Sequence, residues 1–265
     1  MTSSLNRIWA IALNTFREAA RIRVLYGFIV LVVGANVLAL VLGAMATAEQ
    51  ARVSSDVGLA GISLFGSLTA IFLGVFLLYS EIQRRTVHSI ASKPIERWEF
   101  VVGKYGGMAL VLSVLVAIFA AAMIGMLWLQ GFGVGDAVIK AIVLAWFEVL
   151  TVCAIAIFFS SFSSPFLSGI FALALWVIGR LTPDLENASQ AASGLIRGVA
   201  KVTLTIVPDI HLFAVSGRTV DGVHASIHAE FVSWGYVAFA ALHGLGWIVG
   251  LLALAAFLFQ RRDFV

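Results

Sequence analysis

Three polar side chains lie inside long apolar runs of the sequence. Glu148 and His243 are ionisable, and Asn36 carries an amide. An ionisable group deep in an apolar environment is costly unless it is paired or faces water, so such a residue marks a functional site by default. The pattern fits a substrate path or a conformational lock, and it equally fits structural hydrogen bonds between helices. A pair between Glu148 and His243 is one arrangement that the sequence leaves open.

Histidines near acidic residues form a second group of candidates, late in the chain. His224 and His228 are four residues apart and would share one face of a helix, and Glu230 follows closely. Imidazole and carboxylate groups are common metal ligands, so these three residues could hold a metal ion. The spacing fixes no further ligand, and exposed histidines in an extracytoplasmic loop are the alternative interpretation.

Motifs of enzymes and nucleotide-binding proteins are absent from the sequence. The Gly103-Lys104 pair has Trp98 where a P-loop requires its first glycine. The residues after His228 place the acid wrongly for a zinc protease, and the single cysteine, Cys153, excludes a C-x-x-C motif. We therefore predict that the chain is not itself an enzyme, holds no cofactor and has no nucleic-acid partner.

The elements that must position these residues are membrane-spanning helices. The chain of 265 residues is 61% hydrophobic and only 12% charged, whereas about 25% of the residues of soluble domains are charged. A transmembrane helix needs roughly 20 mostly apolar residues. We predict an all-α integral membrane protein with six such helices, within 24–48, 57–80, 105–135, 138–160, 166–181 and 232–260.

An even number of spans places both termini on the same side of the membrane. Lys and Arg are retained in the cytoplasm next to short loops, and they are more frequent on the side of the termini. We therefore predict an N-in, C-in orientation. Residues 81–104 then form the principal cytoplasmic loop, and residues 182–232 form an extracytoplasmic segment with short helices.

The segment 1–23, before the first span, has an amphipathic pattern. Apolar residues fall on one helical face and most of the charged residues on the other, as in helices that lie in the headgroup plane. We predict an interfacial helix here, which either anchors the first span or moves with it. No linker or internal repeat marks a second domain, so we interpret 1–265 as one membrane domain.

Two Gly-x-x-x-Gly pairs offer sites of close helix packing. One joins Gly103 and Gly107, and the other joins Gly246 and Gly250. Small residues at this spacing let two helix backbones approach each other. In glycine-rich spans the spacing also arises by chance, so the sequence alone does not decide between packing and coincidence.

The charged stretch 81–104 has features of a docking surface. The residues from Glu81 to Ile90 suit a helix that continues out of the second span, with Arg84 and Arg85 beside Thr86. Pro94 ends this helix, and the chain then restarts toward the third span. A short exposed helix with charges and a few apolar side chains suits a cytosolic partner. An ordinary basic loop is the alternative.

The same stretch resembles the signature loop of ABC-2 type transporter permeases. In that loop an acidic residue, a threonine, a proline, an arginine and a Gly-Lys pair follow in order. Here they are Glu81, Thr86, Pro94, Arg97 and Gly103-Lys104. Arg85 departs from the pattern, because many members have glycine before the threonine. The amphipathic N-terminal helix, the six spans and the basic ending extend the resemblance over nearly the whole chain.

The resemblance implies the permease subunit of an ATP-driven exporter in the bacterial cytoplasmic membrane. Two permease copies would pair with two cytosolic ATPases, which bind the ATP and Mg²⁺. The residues that the resemblance places at the ATPase or the adjacent headgroups are Glu81, Arg84, Arg85, Thr86, Lys93 and Arg97. Alternatives are an ion- or proton-coupled carrier that uses Glu148 and His243, and a membrane scaffold without transport. The substrate is not implied.

Overall fold

The computed structural model describes residues 4–45, 50–83, 96–191, 194–214, 218–220, 223–225 and 233–261. These residues form nine α-helices, a 3-10 turn at Ile210–Phe213 and an antiparallel hairpin of two short strands. The helices are α1 (Ser4–Ala20), α2 (Arg23–Met45), α3 (Gln50–Gln83), α4 (Arg97–Leu129), α5 (Asp136–Ser160), α6 (Pro165–Arg180), α7 (Thr182–Ala191), α8 (Leu195–Ile206) and α9 (Trp234–Arg261). The strands are β1 (Arg218–Val220) and β2 (Val223–Ala225).

Five of the described helices are long and apolar enough to cross a membrane, namely α2, α3, α4, α5 and α9. Helices α6 and α7 pass the same test only as a pair, and the pair is bent by 62°. The described chain thus contains five candidate spans, or six if the bent pair is one span. The predicted fifth span is a helix of only 16 residues, because the chain bends at Leu181.

Helix α4 begins and ends earlier than the predicted span. It starts at Arg97, where the backbone N–H of Glu96 donates to Oε2 of Glu99 at 3.4 Å. At the other end Gly131 has a positive φ of 81°, and the N–H of Phe132 donates to the carbonyl of Leu127 at 3.0 Å. This is the glycine-dependent hydrogen bonding that ends many helices. The residues after Leu129 therefore form a connection and not a part of the span.

Helix α5 is the centre of the bundle and packs against α3, α4, α6 and α9. Its approach to α3 depends on glycines. A β-carbon at Gly66 would lie 2.7 Å from a methyl group of Val149, and one at Gly74 would lie 2.6 Å from the β-carbon of Ala156. Both distances are too short for any side chain larger than that of glycine. The small residues of α3 thus bring the middle of α5 into direct contact with α3.

Candidate functional site

A buried polar cluster surrounds Glu148, the central residue of α5. Its side chain is fully buried. Oε2 accepts hydrogen bonds from the Ser63 hydroxyl of α3 at 2.7 Å and from Nη2 of Arg180 at 3.1 Å. Oε1 accepts from Nε of Arg180 at 3.1 Å and from the indole N–H of Trp176 at 2.9 Å. The cluster therefore links three helices, α3, α5 and α6, through one carboxylate.

The geometry of the arginine completes the cluster. Arg180 presents Nε and Nη2 to the two carboxylate oxygens, which is the paired arrangement that a guanidinium favours. Nη2 also donates to the Ser63 hydroxyl at 2.6 Å, and the guanidinium lies 5.8 Å from the centre of the Trp176 ring. Both charges of the pair are thus compensated within the protein, as burial in a membrane requires.

The sequence predicted Glu148 as a candidate but missed its partners. Arg180 lies at the end of the predicted fifth span, 166–181, and this position alone did not indicate a contact with Glu148. Trp176 and Arg180 are four residues apart and therefore share one face of α6. The four-residue spacing of Trp176 and Arg180, together with the intramembrane Glu148, was the sequence feature that could have indicated these partners.

We expect replacement of Trp176 with phenylalanine to lower the free energy of unfolding by about 1–2 kcal/mol, because a charged acceptor loses one donor while the aromatic ring is kept. Unfolding in mixed micelles titrated with sodium dodecyl sulfate measures this difference. Trp128→Phe is the matched control, since the Trp128 side chain is 76% exposed. Equal losses in the two variants would contradict the role of the indole N–H.

The other two polar candidates lie apart from this cluster. His243 is half-buried in α9, and its Nε2 accepts a hydrogen bond from the indole N–H of Trp247 at 3.1 Å. Glu148 has the partners described above, so the pair with His243 that the sequence left open is not formed. Asn36 is buried and donates to the carbonyl of Val32 at 2.9 Å, within α2. Its function stays untested.

A second set of charges joins α1 to the first turns of α4. Arg7 donates from Nε to Oε2 of Glu99 at 2.9 Å and from Nη2 to Oε1 at 2.6 Å, and Glu99 is fully buried. The hydrogen bond to Glu99 raises the pKa of Arg7 above its ordinary value. Further along both helices, Nζ of Lys104 lies 3.4 Å from Oε2 of Glu18. Opposite charges thus align α1 with α4 at two points.

Between these ion pairs, α1 lies against the Gly103-x-x-x-Gly107 face of α4. A β-carbon at Gly103 would lie 2.8 Å from the β-carbon of Ile11. One at Gly107 would lie 2.5 Å from the carbonyl oxygen of Ala12 and from the β-carbon of Thr15. This pair of glycines is therefore a packing site, as the spacing suggested.

The second glycine pair has a different environment. Added β-carbons at Gly246 and Gly250 of α9 would meet no atom within 4 Å. Among the described residues this pair therefore packs against no neighbouring helix, although the sequence offered it as a second packing site.

The predicted coupling residues are only partly described. Arg97, in the first turn of α4, donates from Nη1 to the carbonyl of Phe259 near the end of α9 at 3.0 Å. Glu81 lies in the last turn of α3. Arg84, Arg85, Thr86 and Lys93 lie outside the described residues. The structure thus places the end of the predicted loop beside α9 and leaves the other proposed contacts as predictions.

The predicted metal ligands remain untested. His224 lies in strand β2, opposite Thr219 of β1, and not in a helix as the shared-face arrangement required. His228 and Glu230 lie outside the described residues. Within the part of the chain that the structure describes, no group of three histidine, cysteine, aspartate or glutamate residues could hold a metal ion.

The apolar helices and the charge pairs buried among them define a helical integral membrane protein. A family model described as "ABC-2 family transporter protein" matches residues 9–264. The chain belongs to this family, as the signature loop predicted, and it is a transmembrane transporter permease. Permeases of this family are generally non-catalytic membrane subunits that pair with an ATPase subunit. A search of the curated proteins found no match to the chain.

Proposed function

We propose that the chain is the permease subunit of an ATP-driven exporter in the bacterial cytoplasmic membrane. Two copies act with a separate cytosolic ATPase, and residues 81–104 form the loop that contacts it. Membership of the ABC-2 family supports the pairing with an ATPase. The N-in, C-in orientation, six crossings and an interfacial position of α1 belong to this proposal, and the helix observed at Ser4–Ala20 is consistent with it.

The observation that carries the proposal is the junction at the end of the loop. The first turn of α4, which begins at Arg97, lies within the last part of the loop 81–104 and contacts two other helices. Arg97 binds the carbonyl of Phe259 in α9, and the buried Glu99 binds Arg7 in α1. A displacement of the loop by an ATPase would therefore move α1, α4 and α9 together. Such a junction suits a permease that receives its energy from outside the membrane.

The arrangement around Glu148 favours this function over a proton-coupled carrier. Both carboxylate oxygens accept hydrogen bonds from Arg180, and Ser63 and Trp176 supply two more. A carrier would have to break these contacts each time the carboxylate bound a proton. His243 does not complete a relay with Glu148, since its Nε2 accepts from Trp247.

Charge reversal in the loop tests the proposal. The double variant Arg84→Glu and Arg85→Glu should lower the ATPase activity that copurifies with a tagged permease by at least about tenfold, because like charges at an interface cost several kcal/mol. Membrane expression should be unchanged. Lys201→Glu, an exposed charge reversal on α8, is the control and should retain the ATPase. Absence of any copurifying P-loop ATPase, or transport without ATP, would refute the exporter.

A further inference from the structure

We infer that Arg180 is a recognition site for the anionic group of an amphiphile, a phosphate or carboxylate carried on an apolar tail. The inference rests on the proposed transport function and concerns the class of molecule that the permease accepts. Arg180 is the last residue of α6, but its guanidinium binds Glu148, the central residue of the 25-residue helix α5, and therefore lies level with the middle of α5. At that depth a charged side chain is retained only if it has a counter-charge or faces water.

One edge of the Arg180 guanidinium is available to a ligand. Nε and Nη2 bind Glu148 and Ser63. Within the described part of the chain, Nη1 donates to no group. The Arg180 side chain is 31% exposed, whereas that of Glu148 is fully buried. The accessible part of the ion pair is therefore cationic, although the pair as a whole is neutral.

The charge and shape of this edge select an anion. A guanidinium is always protonated and presents its N–H donors in a fixed plane, which matches the oxygens of phosphate and carboxylate groups. Exposure of these donors to hydrocarbon would leave them without a partner, and this is costly in a membrane. A cation would be repelled, because the fully buried carboxylate of Glu148 is out of its reach.

A further polar group lies one helical turn away. Ser67 follows Ser63 by four residues on α3, so the two side chains share a face. Ser67 is fully buried, and its hydroxyl has no hydrogen-bond partner among the described residues. Buried hydroxyls are normally hydrogen-bonded. Ser67 thus adds a second polar group to the face of α3 that carries Ser63.

An exposed apolar stripe leads away from Arg180 along the same helix. Its members recur at spacings of three or four residues and therefore lie on the face of α6 that carries Arg180. They are Val177 (42% exposed), Leu173 (39%), Ile170 (45%) and Phe166 (78%). An apolar tail placed along this stripe would put its anionic end at Nη1. The combination of a cationic edge and an adjoining apolar stripe fits an acidic amphiphile.

Measurement of amphiphile binding to the permease alone, without an ATPase, tests this site. The full chain is placed in nanodiscs of phosphatidylcholine and titrated calorimetrically with dodecyl phosphate and with dodecanol, an uncharged amphiphile with the same tail. Wild type should bind the phosphate at least about tenfold more tightly, since the phosphate forms charge-assisted hydrogen bonds with the guanidinium that dodecanol cannot form. If wild type shows no preference for dodecyl phosphate but still copurifies with an active ATPase, only the anion site is refuted and the proposed transport function is retained.

Three variants decide the outcome. Glu148→Gln removes the competing carboxylate and should tighten phosphate binding. The double variant Glu148→Gln and Arg180→Gln leaves no unpaired buried charge, keeps the fold testable and should lose the preference over dodecanol. Lys201→Gln removes an exposed positive charge from α8 and should bind as wild type does. An unchanged preference in the double variant, or none in wild type, would overturn the inference.

A second arm separates the two possible sources of the anion. The titration is repeated in nanodiscs that contain phosphatidylglycerol. Weaker binding of dodecyl phosphate in this arm would assign the site to a bilayer lipid headgroup. Unchanged binding would assign it to a transported amphiphile. Both results retain the anion site at Arg180.

Discussion

Replacement of Arg180 with alanine is expected to lower the free energy of unfolding of the permease by about 3–5 kcal/mol, because removal of one partner of a buried ion pair leaves the other charge uncompensated. Glu148 would remain fully buried with only Ser63 and Trp176 as donors. Unfolding in mixed micelles titrated with sodium dodecyl sulfate, followed by circular dichroism, measures the loss.

A double-mutant cycle separates the ion pair from simple loss of packing. Arg180→Leu combined with Glu148→Leu should recover most of the stability, since a buried ion pair can be replaced by apolar side chains at little cost. Lys201→Ala, which removes an exposed positive charge from α8, serves as the control and should change stability by less than about 0.5 kcal/mol. If the two single variants and the double variant show additive losses, the residues do not stabilise each other.

Replacement of Gly107 with leucine is expected to displace α1 from α4. A β-carbon at this position would lie 2.5 Å from the backbone carbonyl of Ala12, and backbone atoms cannot move aside as a flexible side chain can. The intrinsic helix propensity of leucine is higher than that of glycine by about 0.8 kcal/mol. A loss of docking would therefore result from the steric clash and not from weaker helix formation.

A designed disulfide reports this docking directly. A β-carbon at Gly106 would lie 3.6 Å from the β-carbon of Ala12, a separation that disulfides adopt. The variant Ala12→Cys with Gly106→Cys should therefore form an intramolecular crosslink, and native Cys153 is buried. Gly107→Leu should abolish the crosslink. Gly250→Leu, at a site with open space, should preserve it. A crosslink that persists with Gly107→Leu would show that α1 does not occupy this groove.

The sequence predicted the apolar spans and the family, because both depend on local properties. Hydropathy identifies a run of apolar residues whatever it packs against, and the loop motif lies within a short stretch that ends at Lys104. The boundaries were less accurate. Span three was predicted at 105–135, but α4 is Arg97–Leu129, since its ends depend on the Glu96–Glu99 contact and on Gly131.

The contacts of the polar residues could not be predicted in the same way. Ser63 and Arg180 are 117 residues apart in the chain, and no periodic pattern relates them. Arg180 is the last residue of α6, a position at which hydropathy indicates the end of a helix and not a contact with Glu148. The Gly103-x-x-x-Gly107 spacing indicated a packing site on α4, but nothing in the sequence indicated that α1 would occupy it. The contacts of Arg180 and the docking of α1 on α4 depend on tertiary packing, which a local sequence pattern does not specify.

The length of α6 has a consequence for the surrounding lipid. At 1.5 Å per residue, a helix of 16 residues is about 24 Å long, and the hydrocarbon core of a typical bilayer is about 30 Å thick. In the proposed topology of six crossings, this difference is met by local thinning of the bilayer or by α7, which is bent by 62° from α6. A hydrophobic mismatch of this size costs fractions of a kcal/mol per Å. The proposed sixth crossing is therefore the one at which this permease should be most sensitive to bilayer thickness.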